Sequence, residues 1–171
     1  MESQTQIKLM ILYILNRVNF PLSDIQILSY FRKMGMDEDN FRMILEELIS
    51  NSLVSAERRP DRSLLEITRE GEETLGYFEN SISEHDRSGI EEFLESHRFD
   101  LRKENTSLAD FREDDANPGQ YEVHLEVREG RRKLIDMWLP ADSEKMAEHM
   151  CEKWKDSSSE IYNFAVRHLL G

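Results

Sequence analysis

LSDIQILSYFRKMGMDEDNFRMILEELISNSLVSAERRPDRSLLEITREG, residues 22–71, carries in order the signals of a helix, a turn, a second helix and a two-stranded hairpin that leads into a further helix start. Ser23-Asp24-Ile25-Gln26 has the form of a capping box: the Ser23 hydroxyl accepts from the Gln26 amide, and the Gln26 side chain reaches back to the Ser23 backbone. Leu22 and Ile27 are placed as a hydrophobic staple, so a helix is expected to start at Ser23 and to stop at Met34-Gly35. Asp37 then offers a second cap and Met36 with Phe41 a second staple, while Phe41, Ile44, Leu45, Leu48 and Ile49 follow helical spacing. Leu53 to Arg58 and Leu64 to Ile67 read as short strands around Arg59-Pro60-Asp61-Arg62-Ser63, whose Pro and Asp favour a turn. This order predicts a winged helix-turn-helix, with the helix after Asp37 in the position that reads DNA and the hairpin as its wing.

Upstream, Ile7, Met10, Ile11, Ile14, Leu15 and Val18 form a helical stripe over residues 4–19, suited to core or to a shared dimer helix. In the helix begun by Ser23, Ile25, Leu28 and Phe31 are expected inside and Gln26, Ser29 and Arg32 nearer water. Downstream, Ser83 to His97 reads as a connecting helix capped by Ser83, with Ile90, Phe93 and Leu94 facing inward. Phe99 to Glu104, Ser107 to Arg112, Tyr121 to Arg128 and Arg132 to Leu139 read as strands. Tyr121, Val123, Leu125 and Val127 alternate with Glu122, His124, Glu126 and Arg128, which predicts one buried and one wet face. The short connections favour antiparallel pairing. Pro140 is expected to stop the last strand. Asp142 or Ser143 then caps a helix whose Met146, Ala147, Met150, Cys151 and Trp154 cover the sheet, and Ser157-Ser158-Ser159 leaves open one long helix or two. The predicted class is α+β: a winged helix-turn-helix over 1–80, a connecting helix over 81–98, and over 99–171 an antiparallel sheet packed against one or two C-terminal helices.

The formal net charge of −13 opposes nucleic-acid binding, because phosphate neutralisation supplies most non-specific affinity. Neither half is basic: residues 1–80 hold nine Lys/Arg against fourteen Asp/Glu, and residues 81–171 thirteen against twenty-one. The distribution therefore matters more than the sum. On the exposed side of the predicted reading helix, Asn40 and Arg42 are the residue types that address base edges, amid Glu38, Asp39, Glu46 and Glu47. On the wing, Arg58, Arg59 and Arg62 fall within five positions, with Arg69 at the next helix start, a candidate phosphate-contacting patch.

The wing leaves through Ile67-Thr68-Arg69-Glu70-Gly71 toward Leu75, a pattern I-T-x-x-G-x-x-x-L that resembles the end of the winged helix in bacterial regulators related to the MarR and PadR families. IKLMILYILNRVNFPLSDIQI near the start, with CEKWK and IYNF near the end, resembles an uncharacterised Gram-positive bacterial family labelled as a domain of unknown function, DUF4364, over nearly the whole chain. The resemblance implies an N-terminal winged helix, a C-terminal α/β portion and a regulatory role, and brings no catalytic residues.

Other chemistry is thinly represented. His85, His97, His124, His149 and His168 are scattered without metal-ligand spacing, so no metal or cofactor is expected. Cys151 sits on an apolar, acid-flanked helix and reads as a core thiol, not a nucleophile. Asp114 and Asp115 read as a solvated turn. Met137, Trp138, Met146, Met150 and Trp154 are expected to be core, with a ligand pocket as the alternative. No apolar run approaches a membrane span, and the lone cysteine fits a reducing compartment, so a cytoplasmic protein is expected. The expected function is a DNA-binding transcriptional regulator and not an enzyme. It would bind double-stranded DNA as a homodimer, with the C-terminal part serving dimerisation or regulation. The alternative is an acidic winged-helix module that binds a protein partner without reading DNA sequence.

Overall fold

The computed structural model describes residues 3–171, and the side chains of all of these except 99 and 103–105. The chain divides into two compact units, residues 1–102 and 103–171.

The first unit is built on α1 (Gln4–Asn16), whose Met10, Ile11, Leu12, Tyr13 and Ile14 are almost wholly buried. A helix apolar on every side has to be covered on every side. β1 (Leu22–Ser23), α2 (Asp24–Arg32), α3 (Glu38–Ser50), β2 (Val54–Arg58), β3 (Ser63–Ile67) and α4 (Arg69–Phe78) follow in the order the sequence predicts, and α3, β3 and α4 pack on α1. The strands form an antiparallel sheet in the order β1-β3-β2, so the expected hairpin gains a third, two-residue strand.

The caps form as expected. Ser23 and Gln26 make both bonds of the capping box, Asp37 Oδ1 accepts from the Asn40 amide at 2.8 Å, and Thr68 Oγ1 accepts from the Gly71 amide at 3.0 Å. Both α2 and α3 close with paired reversed bonds of the Schellman type. In α2, Met36 N–H donates to Phe31 O and Gly35 N–H to Arg32 O, with Gly35 at φ +84°. In α3, Leu53 N–H donates to Leu48 O and Ser52 N–H to Ile49 O, with Ser52 at φ +61° where glycine is the easier residue.

One side of α2 is turned relative to expectation. Ile25 is 54% exposed and Gln26 is buried, because the Gln26 amide accepts from Ser23 N–H and donates to the carbonyl of Leu101 at 3.3 Å. A buried amide with its polar atoms bonded can hold a core position. The carbonyl it meets lies on α5 (Glu84–Thr106), a single helix that overturns the strand expected over 99–104. Ile90, Phe93, Leu94 and Leu101 are buried at helical spacing in the core of the first unit. The alternation that suggested a strand was a coincidence of period in a short, charge-rich run.

The second unit holds β4 (Ser107–Glu113), β5 (Tyr121–Glu129), β6 (Arg132–Ala141) and α6 (Glu144–Leu170), with the sheet antiparallel in the order β4-β5-β6. Pro140 does not stop β6. It pairs with Glu122 on an edge strand, where a missing N–H is tolerated. α6 is one helix through Ser157–Ser159: Ser158 is buried and its hydroxyl accepts from Ser107 at 3.0 Å, so a small polar residue lets the helix lie close to the start of β4. Val123, Leu125, Val127, Ala147 and Trp154 form this core, and Trp154 Nε1 donates to Glu126 O at 3.0 Å. Met137 and Met150 pack against it, whereas Met146 and Trp138, expected in the core, are exposed. The face away from α6 is not simply wet, since Glu126 and Arg128 are buried on it.

Gly71 explains the I-T-x-x-G pattern. A Cβ there would lie 2.2 Å from the Leu53 carbonyl oxygen and 2.8 Å from Ile67 Cγ1, at the crossing where Thr68 Oγ1 also donates to Ser52 O at 2.6 Å. Gly71→Ala is expected to lower stability by about 3 kcal/mol through overpacking against backbone, and Ser52→Gly to raise it by up to about 1 kcal/mol by relieving the left-handed residue. Denaturant midpoints of the two variants, moving in opposite directions, check this assignment.

Candidate nucleic-acid interface

α3 presents Glu38, Arg42 and Glu46 one turn apart on its exposed face, and the hairpin delivers Arg58 to the end of that row. Arg42 Nη2 donates to Glu38 Oε1 at 3.2 Å, Arg32 Nη2 stands 3.5 Å from Glu38 Oε2, and Arg58 Nη2 donates to Glu46 Oε1 at 2.8 Å. The Glu46 contact holds the Arg58 guanidinium above its ordinary pKa. The result is a row of alternating sign in which Arg32, Arg42 and Arg58 outnumber Glu38 and Glu46. All five side chains are at least half exposed. Pairs this exposed contribute at most about 1 kcal/mol each, so a phosphate can displace the carboxylates.

The other candidates are placed differently. Asn40 sits in the first turn of α3 with its side-chain amide donating to Asp37 Oδ2 at 3.2 Å, so it is engaged in the cap. The bond from the Asn40 backbone amide is the main reason the Asp37 carboxyl lies below its usual range. That carboxylate also offsets the positive end of the helix. Arg69 is 87% exposed and bonds Glu73 at 3.2 Å on α4. Arg59 and Arg62, expected at an open wing tip, are not presented to solvent: their side chains are 3% and 20% exposed, Arg59 bonds Glu57 at 2.9 Å, and Arg62 Nε lies 3.8 Å from Asp61 Oδ1. The structure therefore gathers Arg42 and Arg58 and leaves Arg59, Arg62 and Arg69 apart from them. Lys8, which the sequence reading passed over, pairs with Glu47 on α3. Arg32 was assigned to solvent and gains its place through Glu38.

A second polar cluster lies in the second unit, on the face of the sheet away from α6. His124 Nε2 is 2.6 Å from Asp136 Oδ1 and 3.8 Å from Glu126 Oε1, three potential metal ligands within reach of one another. Lys133 Nζ lies 2.8 Å from Glu126 Oε1 and 3.1 Å from Asp136 Oδ2, and Arg128 Nη2 lies 3.4 Å from Glu126. An ammonium thus occupies the space between the carboxylates that a cation would take, and two cations balance two acids around a fully buried Glu126. The register explains how this arises. Pairing shifts between Val127↔Ile135 and Arg128↔Lys133, leaving Leu134 as a bulge, so Lys133 and Asp136 share a face despite their odd separation. The imidazole of His124 stacks on Trp138 at 4.2 Å, with Arg112 over the same indole at 4.9 Å. Pattern reading could not find this cluster, because its members are spread over two strands whose register depends on the bulge. Cys151 is half-buried, and burial, with Asp110 nearby, pushes its thiol up to about 11, which fits the inert thiol expected from the sequence.

These features define a two-unit α+β protein with one charged helix-and-hairpin face. The chain belongs to the family described as Domain of unknown function (DUF4364), whose model matches residues 7–169. No curated protein and no solved structure gives a significant match. Among the described residues, no helix is long and apolar enough to cross a membrane.

The hydrogen bond from His124, with Lys133 adding to it, holds the Asp136 carboxyl below its ordinary range. A depressed carboxyl contributes stability that is present above its unfolded pKa, near 3.9, and is lost as pH falls through the lower folded value. Asp136→Asn is therefore expected to reduce the melting temperature at pH 7 and to flatten its fall between about pH 5 and pH 2. Melting curves across that range measure both effects.

Proposed function

We propose that this chain is a winged-helix, DNA-binding regulator in which α3 is the reading helix and Arg58 is the wing's phosphate contact. The observation that carries the reading is the row on α3, where the hairpin brings Arg58 in line with Arg42 and Arg32 on one exposed face. Binding would exchange the Glu38 and Glu46 carboxylates for phosphate oxygens, a substitution that costs little at such exposure. Arg42 is the group on this face best suited to a base edge, because a guanidinium can address guanine with two bonds. The second unit then serves dimerisation or regulation.

A specific observation favours a second reading. Each of the six candidate residues already bonds or faces a carboxylate of this chain, and the whole carries a net charge of −13. On that reading the face docks a basic protein. Selection from a random duplex pool at low and at physiological salt separates the two, since a DNA reader retains enriched sequences where simple attraction fades. Loss of all enrichment at physiological salt would overturn the DNA reading.

If DNA displaces the acidic partners, Glu38→Gln with Glu46→Gln should tighten binding by about 3- to 10-fold, the sum of two released surface pairs. Arg42→Ala with Arg58→Ala should lower the magnitude of the log-affinity against log-salt slope by about 1.8. Fluorescence anisotropy titrations give both numbers, and no change in either variant would remove this face from the interface. Paired half-sites further require a homodimer. Light scattering should then return twice 20.3 kDa at micromolar concentration, and a single-chain mass throughout would exclude that arrangement.

A further inference from the structure

The six residues Arg128-Glu129-Gly130-Arg131-Arg132-Lys133 hold four cations and one carboxylate, the highest net positive charge of any six-residue stretch in a chain of net −13. They form the β5–β6 hairpin. β5 ends at Glu129, β6 begins at Arg132 opposite it, and Gly130, at φ +59°, supplies the first residue of a two-residue loop. The cations divide by task. Arg128 is buried beside Glu126, and Lys133 is committed to Glu126 and Asp136, so these two support the buried acid. Arg131 and Arg132 are exposed at the tip. Two adjacent guanidiniums on a narrow two-stranded ribbon, anchored at its base by a buried charge network, make a firm projection able to reach along a polyanion backbone.

We propose that the β5–β6 hairpin tip is a second phosphate-contacting arm for duplex DNA, with Arg131 and Arg132 as its contacts. The proposal rests on the DNA-binding reading above and adds to it a surface in the other unit. A tip with one glycine and two arginines, and no group suited to reading base edges in a sequence-dependent way beyond those two, contacts the backbone whatever the sequence. It therefore raises affinity for matched and unrelated duplexes alike.

The test is anisotropy of the full chain on a labelled duplex over a range of salt. Arg131→Ala with Arg132→Ala should lower the magnitude of the salt slope by about 1.8 and weaken all duplexes in parallel. Lys153→Ala with Lys155→Ala removes the same charge from exposed positions on α6 and should leave the slope unchanged. Arg131→Lys with Arg132→Lys should keep most of the slope, which separates loss of charge from damage to the hairpin. An equal fall in the hairpin and α6 variants would overturn the proposal in favour of general charge. An unchanged hairpin variant with intact wild-type binding would overturn it while leaving the DNA reading in place. No duplex binding by the wild type at any salt would overturn both.

Discussion

The burial of α1 is the constraint on which the first unit depends. Its central residues Met10, Ile11, Leu12, Tyr13 and Ile14 retain almost no exposure, and a helix without a polar side has no stable state until other elements enclose it. α3, β3 and α4 supply that enclosure. Even the polar atom on this helix is provided for: Tyr13 Oη donates to Glu91 on α5 at 2.6 Å and accepts from Arg17 at 2.7 Å, which lets the phenol occupy the core. Because the inward faces of the covering helices are spent on α1, their outward faces are fixed in direction. The exposed row of α3 is a consequence of that packing.

The electrostatics of that row turn on distance and exposure more than on net charge. A chain of net −13 repels a polyanion at long range, yet within roughly a Debye length of α3 the local balance of Arg32, Arg42 and Arg58 against Glu38 and Glu46 is what a partner meets. The pairs at this surface are exposed and exchangeable. The pairs around Glu126 are the opposite case: a buried carboxylate needs its cations in place, since an uncompensated buried charge would cost several kcal/mol. The same residue types thus form a replaceable set on α3 and a structural set on the sheet, and burial makes the difference.

Family membership sharpens the question without answering it. The match to DUF4364 spans almost the whole chain, so both units belong to what the family shares, and the family carries no assigned activity. Function has to be argued from surfaces. Two surfaces combine exposed arginines with a rigid backbone support, the α3 face with Arg58 and the β5–β6 hairpin tip, and each lies within a unit whose internal packing defines it.

Much of the fold was legible in the sequence because it rests on local chemistry. Ser23, Asp37 and Thr68 cap the helices they precede, and helical or alternating apolar spacing marks α1, α3 and β5, since caps and periodicity are decided within a few residues. The strand expected over 99–104 and the stop at Pro140 failed because a short run has no period of its own: Leu101 is held in a helix by the core of the first unit and by Gln26, and Pro140 is accepted because β6 is an edge. The candidate site divides in the same way. That Arg42 lies on an exposed helix face follows from spacing. Which carboxylate holds it, that Arg58 joins it, that Arg59 and Arg62 are covered, and that a bulge at Leu134 sets Lys133 between Glu126 and Asp136 follow only from residues distant in sequence meeting in space, because side-chain pairing and burial are properties of packing.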